Sequence, residues 1–288
     1  MSAPAPPTPR TRLFGLLGHP VGHSLSPAMH NAALRTLGID AVYLAFDVPP
    51  RHLPAALEGA RALGSGGLNV TVPHKERALE LAAERDPRAH LTGAANTLVP
   101  APAGWRAHNT DVEGFSRALR DSLAFDPRGC RAWVLGAGGA ARAAVVALAE
   151  DGAQEILVMN RNSNRAERLA TELDGKLPRA GIRAADLAAF PAGASPGDLL
   201  VGATPLGLRD DGAWPWDLGA VAPGLFVYDM AYRPSGETPL VEAARRAGHR
   251  AASGRSMLLH QGAAAFRLWT GRPAPLEAMA AALGDATR

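Results

Sequence analysis

Gly136-Ala137-Gly138-Gly139-Ala140-Ala141 follows directly on the short apolar stretch 132–135 and runs straight into a helix-like segment, 142–150. Glycine lacks a Cβ, so a strand can turn sharply at Gly136 and the backbone at Gly138 can come close to a bulky anion. The helix that follows offers unpaired N–H groups to the same anion, as a pyrophosphate requires. The run satisfies G-x-G-x-x-G/A with alanine in the third place. Alone it also fits an ordinary tight turn, so its context has to decide.

The next strand-like segment supplies that context. Glu155-Ile156-Leu157-Val158-Met159 is β-rich and ends at Asn160-Arg161, about twenty residues past the glycines, where an adenosine ribose lies in dinucleotide-binding folds. A free 2′-hydroxyl calls for Asp or Glu at this place. The chain instead carries Asn160, Arg161 and Arg165, and guanidinium suits a 2′-phosphate. The spacing favours NADP over NAD; solvated loop arginines are the alternative reading of the same pair.

Composition narrows the classes further. The 288 residues suffice for one large or two ordinary domains, and 47% apolar content is that of a globular protein. A net charge of +3, with Lys and Arg scattered along the chain, argues against nucleic acid as partner and for small anionic ligands. The single cysteine, Cys130, excludes an intramolecular disulfide, fits a reducing compartment and reads as a small buried residue before a strand. No apolar run is long enough to span a bilayer and no signal-peptide pattern opens the chain, so a cytoplasmic protein is expected. Residues 1–10 are proline-rich and read as a flexible leader. No His/Cys/Asp cluster has metal-ligand spacing.

Strand-like and helix-like segments alternate through both halves, which predicts layered α/β architecture. In the first half we expect strands at 13–17, 41–48 and 67–72, helices at 27–37, 52–62 and 76–84, and a hairpin over 95–106. A linking helix over 111–123 precedes the glycine turn, and strands are expected near 132–135, 155–159, 199–201 and 225–229. Helical spacing over 256–269 and 276–283 suggests that the C-terminus returns to complete the first domain. The expectation is an α/β chain of two domains with a cleft between them. A mixed or parallel α/β substrate domain spans 11–110 with 256–288, and a Rossmann NADP-binding domain spans 111–255.

The first half also carries polar residues that folding does not demand. Ser24 and Ser26 alternate about Leu25 ahead of a helix, so both could serve one ligand; helix capping by Ser26, with Pro27 next, explains it equally well. Asn69 and Thr71 alternate with Val70 and Val72 along a strand that Pro73 ends, and Lys75 stands at the exit, where open α/β sheets bind ligands. Lys75 is a candidate proton donor or acceptor, or else a surface charge, and His74 reads as packing or capping. Asn96-Thr97 and Asn109-Thr110 flank the hairpin and could be plain Asx turns. Asp111 is the carboxylate best placed to work with Lys75.

At these residues the chain resembles the shikimate dehydrogenase family. The runs that carry the resemblance are His23-Ser24-Leu25-Ser26-Pro27-Ala28-Met29-His30-Asn31, Asn69-Val70-Thr71-Val72-Pro73-His74-Lys75, Gly93-Ala94-Ala95-Asn96-Thr97 and Asn109-Thr110-Asp111-Val112-Glu113-Gly114. The glycine run, Asn160-Arg161, Ala203-Thr204-Pro205-Leu206-Gly207, Tyr228-Asp229-Met230-Ala231-Tyr232, Thr238-Pro239-Leu240, and Gly254 with Met257 and Gln261 extend it in the same order. The resemblance implies NADP-dependent, reversible oxidation of shikimate to 3-dehydroshikimate on the route to chorismate and the aromatic amino acids.

By motif, it further implies Lys75 and Asp111 as the catalytic pair and Ser24, Ser26, Thr71, Asn96, Tyr232 and Gln261 as substrate ligands. Gly136, Ala137, Gly138, Gly139 and Ala140 would carry the pyrophosphate, and Asn160, Arg161 and Arg165 would meet the adenosine end. Met230 and Gly254 would lie by the nicotinamide. The chain departs from the family's usual Asn at Gly202, Met at Leu208 and Thr at Asn162. The competing readings are a quinate/shikimate dehydrogenase with broader substrate or NAD use, and a non-catalytic dinucleotide sensor. The Ser24/Ser26/Thr71 set favours shikimate, and a sensor would have no reason to keep Lys75 and Asp111. A monomer and a homodimer both fit the sequence.

Overall fold

In the computed structural model, the described residues are 6–206, 214, 216–233 and 236–285. The chain divides into two compact units, one made of the residues up to Thr110 together with those from Gln261 on, the other of Asp111–His260.

The first unit is built on a six-stranded mixed sheet. Its elements are β1 (Arg12–Gly18), α1 (Ser26–Thr36), β2 (Ala41–Asp47), α2 (Leu53–Ala62), β3 (Gly67–Val70), α3 (Lys75–Leu81), β4 (Glu84–Arg85), α4 (Pro87–Thr92), β5 (Thr97–Ala101) and β6 (Gly104–His108). The strand order is β2-β1-β3-β5-β6-β4. β1 pairs in parallel with β2 and β3, and the β5–β6 hairpin joins antiparallel to β3. A core of Leu17, Leu53, Leu68, Val70, Leu98 and Trp105 packs under α2 and α3.

The second unit carries α5 (Asp111–Leu123), β7 (Arg131–Leu135), α6 (Gly139–Glu150), β8 (Glu155–Met159), α7 (Ser163–Asp174), β9 (Gly181–Ala184), β10 (Leu199–Gly202), β11 (Phe226–Asp229), α8 (Pro239–Arg246) and β12 (Arg250–Ser253). α9 (Arg255–Thr270) and α10 (Leu276–Asp285) complete the chain, and α10 packs against α1. All six strands of the second sheet run parallel in the order β12-β11-β10-β7-β8-β9. Strands of such a sheet are covered on both faces, which is why the β10 run Leu-Leu-Val-Gly is apolar and buried throughout. Winding outward in both directions from β7 and β10 leaves a switch point between them, at whose carboxyl edge ligands bind in this topology.

The α/β class is as expected, with differences in detail. β3 stops at Val70 and α3 at Leu81, both short of the expected ends. Ala82 turns extended, and the Arg85 guanidinium donates to the Leu79 and Glu80 carbonyls, finishing α3 there. The short helix α4 and the edge strands β4, β9 and β12 go unread in the sequence. In the leader, the Thr8 amide donates to Thr11 Oγ1 at 2.8 Å, and that hydroxyl donates to Asp40 at 2.6 Å.

α4 is set by its ends: Asp86 Oδ1 accepts the Ala89 amide at 2.6 Å, Pro87 opens the first turn, and Gly93 closes it at φ 64°. The other Asp86 oxygen meets His108 Nδ1 at 2.6 Å. Burial pushes the Asp86 pKa up, but the His108 and Ala89 hydrogen bonds outweigh it and hold the carboxyl below its ordinary value. The stabilisation is therefore present above the unfolded carboxylate pKa and is lost as pH falls through the depressed folded value. Asp86→Ala should cost about 1 kcal/mol at neutral pH. In thermal melts the gap to wild type should narrow below about pH 4; a gap unchanged at lower pH would contradict this role.

Candidate active site

In the first unit, the ends of β1 and β3 and the start of β5 share one sheet edge, and most of the polar residues singled out above gather there. Thr71 follows β3, its amide donating to the Leu17 carbonyl. It lies so close to β1 that a Cβ on Gly18 would sit 2.4 Å from its methyl group. Lys75 is not on the strand but is the first residue of α3, half-buried. Its backbone is fixed on both sides: Lys75 O accepts the Ala95 amide at 2.9 Å, and the buried His74 ring bonds the Val48 carbonyl through Nε2 at 2.7 Å. His74 thus packs, as its sequence context suggests.

The serines do not cap α1. Leu25 occupies the N-cap position with no side-chain cap bond, and Ser26 lies inside the helix. Ser24 Oγ accepts the Ser26 amide at 3.2 Å, a local turn bond that leaves the Ser26 hydroxyl outside any capping role. Ser26 is buried and Ser24 half-buried.

Asn96 is the hub of the edge. Its Nδ2 donates to Thr110 Oγ1 at 2.9 Å and to Gln261 Oε1 at 3.2 Å, while its Oδ1 accepts the Thr110 amide at 2.7 Å. Engaging the Gln261 carbonyl oxygen in this way turns that amide's NH₂ group to other acceptors. Asn69 forms the layer beneath, donating to the Asn96 carbonyl and to Thr97 Oγ1, both at 3.1 Å, and accepting the Tyr43 hydroxyl at 2.8 Å. Tyr43 is stacked on His30 at 4.4 Å between ring centroids, and burial pushes the His30 pKa down to about 3, so the cage is neutral. The expected ligand set omits Asn69, Thr97 and Tyr43; strand alternation marks Asn69 in the sequence and the Asn-Thr pairing marks Thr97, while Tyr43 carries no signal.

In the second unit, Asp111 is the buried first residue of α5. Gly136 takes φ +132°, and a Cβ there would lie 2.5 Å from the Ala203 carbonyl oxygen, so this glycine lets β7 and β10 close on each other at the switch point. Gly138 is different. It is the N-cap of α6 with no side-chain cap bond, and a Cβ there would meet nothing within 4 Å. Open space over uncapped helix amides is what a pyrophosphate needs.

Beyond β8, Arg161 and Arg165 are exposed and make no ion pair among the described residues. Asn160 Nδ2 donates to the Asn162 carbonyl at 3.0 Å. Asn162 caps α7, accepting the Arg165 amide at 3.3 Å, so this departure from the family's threonine keeps a side-chain cap. Met230 and Tyr232 are half-buried past the end of β11. Gly254 is a close-approach glycine: a Cβ there would lie 2.1 Å from the Met230 carbonyl oxygen, and its amide donates to the Ala231 carbonyl at 2.9 Å. Gly202 faces Leu240 and Asp229, which fill the space an asparagine would take. Leu208 and Gly207 lie outside the described residues.

Burial, then Asp198 and Asp126, pushes the Cys130 thiol up to about 12, which makes it inert as a nucleophile. Among the described residues no group of His, Cys, Asp and Glu could hold a metal ion, and no helix is long and apolar enough to cross a membrane.

A doubly wound parallel sheet with an uncapped, glycine-opened helix at its switch point defines a dinucleotide-binding α/β protein, here joined to a unit rich in hydroxyl and amide donors. Comparison with known proteins fixes the family. Residues 16–98 match the shikimate dehydrogenase substrate binding domain, 120–204 the shikimate / quinate 5-dehydrogenase family and 254–283 the shikimate 5′-dehydrogenase C-terminal domain. The chain belongs to the shikimate dehydrogenase family. It is 49% identical over 275 residues, 93% of each chain, to the shikimate dehydrogenase (NADP(+)) of Methanopyrus kandleri. A crystal structure of a shikimate dehydrogenase in complex with NADP+ superposes with a TM-score of 0.90 at 35% identity, covering 99% of this chain and 98% of the other. The Thermus thermophilus enzyme in complex with NADP(H) and shikimate gives 0.84 at 39% identity, covering 96% and 99%.

Proposed function

We propose that this chain catalyses the reversible, NADP-dependent oxidation of shikimate to 3-dehydroshikimate. The observation that carries the reading is the 49% identity, over 93% of the chain, to a shikimate dehydrogenase (NADP(+)). The two sheet edges described above support it, one lined with hydroxyl and amide groups suited to a polyhydroxy carboxylate, the other fit for a dinucleotide.

When bound, NADP supplies or accepts the hydride. The chain's own residues orient the substrate and handle the proton. Ser24, Ser26, Thr71, Asn96, Gln261 and Tyr232 are assigned to the substrate's hydroxyls and carboxylate. Gln261 suits an acceptor on the substrate because its Oε1 is already taken by Asn96. Lys75, an ammonium anchored at the start of α3, gives its proton to the alkoxide that forms at the carbonyl carbon in the reductive direction and takes it back in the oxidative one, with Asp111 as the accompanying carboxylate. Gly136–Ala140 present backbone amides to the pyrophosphate; Met230 and Gly254 are assigned to the nicotinamide end.

The test is the absorbance of reduced nicotinamide in a mixture of protein, shikimate and NADP, with quinate and NAD as the parallel arms. Turnover with shikimate and NADP is expected. No turnover with any combination would return the chain to the sensor reading, and preference for quinate would reassign the substrate. Because Arg161 and Arg165 are exposed and make no ion pair among the described residues, Arg161→Ala should raise the KM for NADP about tenfold or more, the worth of a charge-assisted hydrogen bond, and leave that for NAD nearly unchanged. Equal kcat/KM for NAD and NADP in the wild type would contradict the assignment.

A further inference from the structure

One buried carboxyl has no place in the chemistry above. Asp229 ends β11 at 2% exposure, and no lysine or arginine among the described residues pairs with it. Its Oδ1 accepts the Ala231 amide at 3.0 Å, while Oδ2 has no hydrogen-bond partner among the described residues. The fully buried Thr238, the N-cap of α8, helps hold the carboxyl's pKa down. Gly202, in register with Asp229 on β10, brings no side chain; a Cβ there would stand 3.0 Å from Oδ1. Burial pushes the Asp229 pKa up to about 7, against the pull of Thr238 and Ala231.

A carboxyl kept in such a place costs free energy, and an apolar residue would fill the volume at less cost. What it achieves is visible in its bonds. Ala231 lies at the start of the segment that leaves β11, and the carboxyl holds its amide. The same segment is pressed from the other side by Gly254, whose lack of a Cβ admits the Met230 carbonyl and whose amide holds Ala231.

We propose that Asp229 is a positioning residue: it holds the Ala231 amide and so fixes the backbone that carries Met230 and Tyr232 past the end of β11. The inference rests on the assignment of Met230 and Tyr232 to the nicotinamide and substrate. Asp229→Ala removes the acceptor for the Ala231 amide. It should lower kcat/KM for shikimate about tenfold or more, the equivalent of one lost buried hydrogen bond, with the dissociation constant for NADP nearly unchanged, since the assigned phosphate contacts lie on other loops.

Asp229→Asn keeps an oxygen for Ala231 and should restore most of the loss. Asp229→Val, which removes the same acceptor at nearly the same volume, should lower kcat/KM for shikimate without weakening NADP; it serves if the alanine variant does not fold. Wild-type kinetics in both Asp229→Ala and Asp229→Val, or an equal loss of NADP affinity and shikimate turnover in all three variants, would overturn the proposal. Hydrogen exchange separates its failure from that of the functional reading. If the wild type proves inactive on shikimate, the Ala231 amide should still exchange about tenfold faster in Asp229→Ala, and unchanged exchange would sink the anchor itself.

Discussion

Lys75→Ala is expected to lower kcat by about 10²-fold or more while the KM for shikimate moves by a smaller factor. Lys75 opens α3, its carbonyl is held by the Ala95 amide, and the residue before it is fixed through His74 to Val48. Truncating the side chain leaves those bonds in place, and alanine is a good helix former, so the fold should keep its stability to within about 0.5 kcal/mol. What disappears is the proton donor, a group that matters more to the transition state than to bound substrate. Steady-state kinetics with near-normal kcat would remove Lys75 from the mechanism, and a large fall in thermal midpoint would mean that the side chain serves the fold instead.

The second large effect concerns the glycines of the phosphate turn, which look alike in sequence and are opposite in structure. Gly136 sits at φ +132° with the Ala203 carbonyl oxygen 2.5 Å from where a Cβ would be. The two nearest atoms, the Ala203 carbonyl oxygen and carbon, are main chain, and β7 and β10 are locked to each other there, the Ala203 amide donating to the Leu135 carbonyl at 2.8 Å. Gly136→Val should therefore destabilise the protein by about 3 kcal/mol or more, through strain and strand separation together. At Gly138 there is open space, so Gly138→Val should change stability by only about 0.5 kcal/mol yet weaken NADP about tenfold or more, because the new side chain stands where the pyrophosphate would approach the amides. Melting curves and NADP titrations on the pair check this. Equal effects on stability, or a Gly138 variant with full NADP affinity, would show that the turn is only structural.

Much of this architecture is readable in the chain, and the misses have physical causes. The glycine turn between an apolar strand and an apolar helix identifies the second sheet, and the amphipathic run of α5 has the same ends in sequence and structure. α4 is six residues long, too short for a helical period to show, although Asp86, Pro87 and Gly93 mark its ends. β9 and β12 are four-residue strands at the edges of the parallel sheet, with exposed or polar positions that blur a strand pattern. Ser26 has the context of a cap, yet α1 starts one residue earlier than Pro27 suggests and takes it into the first turn.

The polar edge of the first unit is less legible from pattern alone. Asn96 and Gln261 stand 165 positions apart, and only the fold brings them to 3.2 Å. Asn69 draws notice on its strand, but that Tyr43 orients it from β2 depends on strand order, which no local pattern contains. Gly202 looks like a lost position in sequence, while the resemblance sets Gly254 beside the nicotinamide; in the structure both are places where neighbouring groups fill the space of a side chain.

The central claim is that hydride passes directly between the substrate's alcohol carbon and the nicotinamide. The most direct measurement uses shikimate carrying deuterium on the carbon that becomes the ketone, with NADP and the protein, and NMR of the reduced cofactor. The account predicts one deuterium on the nicotinamide ring for each shikimate oxidised, from one face only. Reduced cofactor without label, or label found in water, would contradict it.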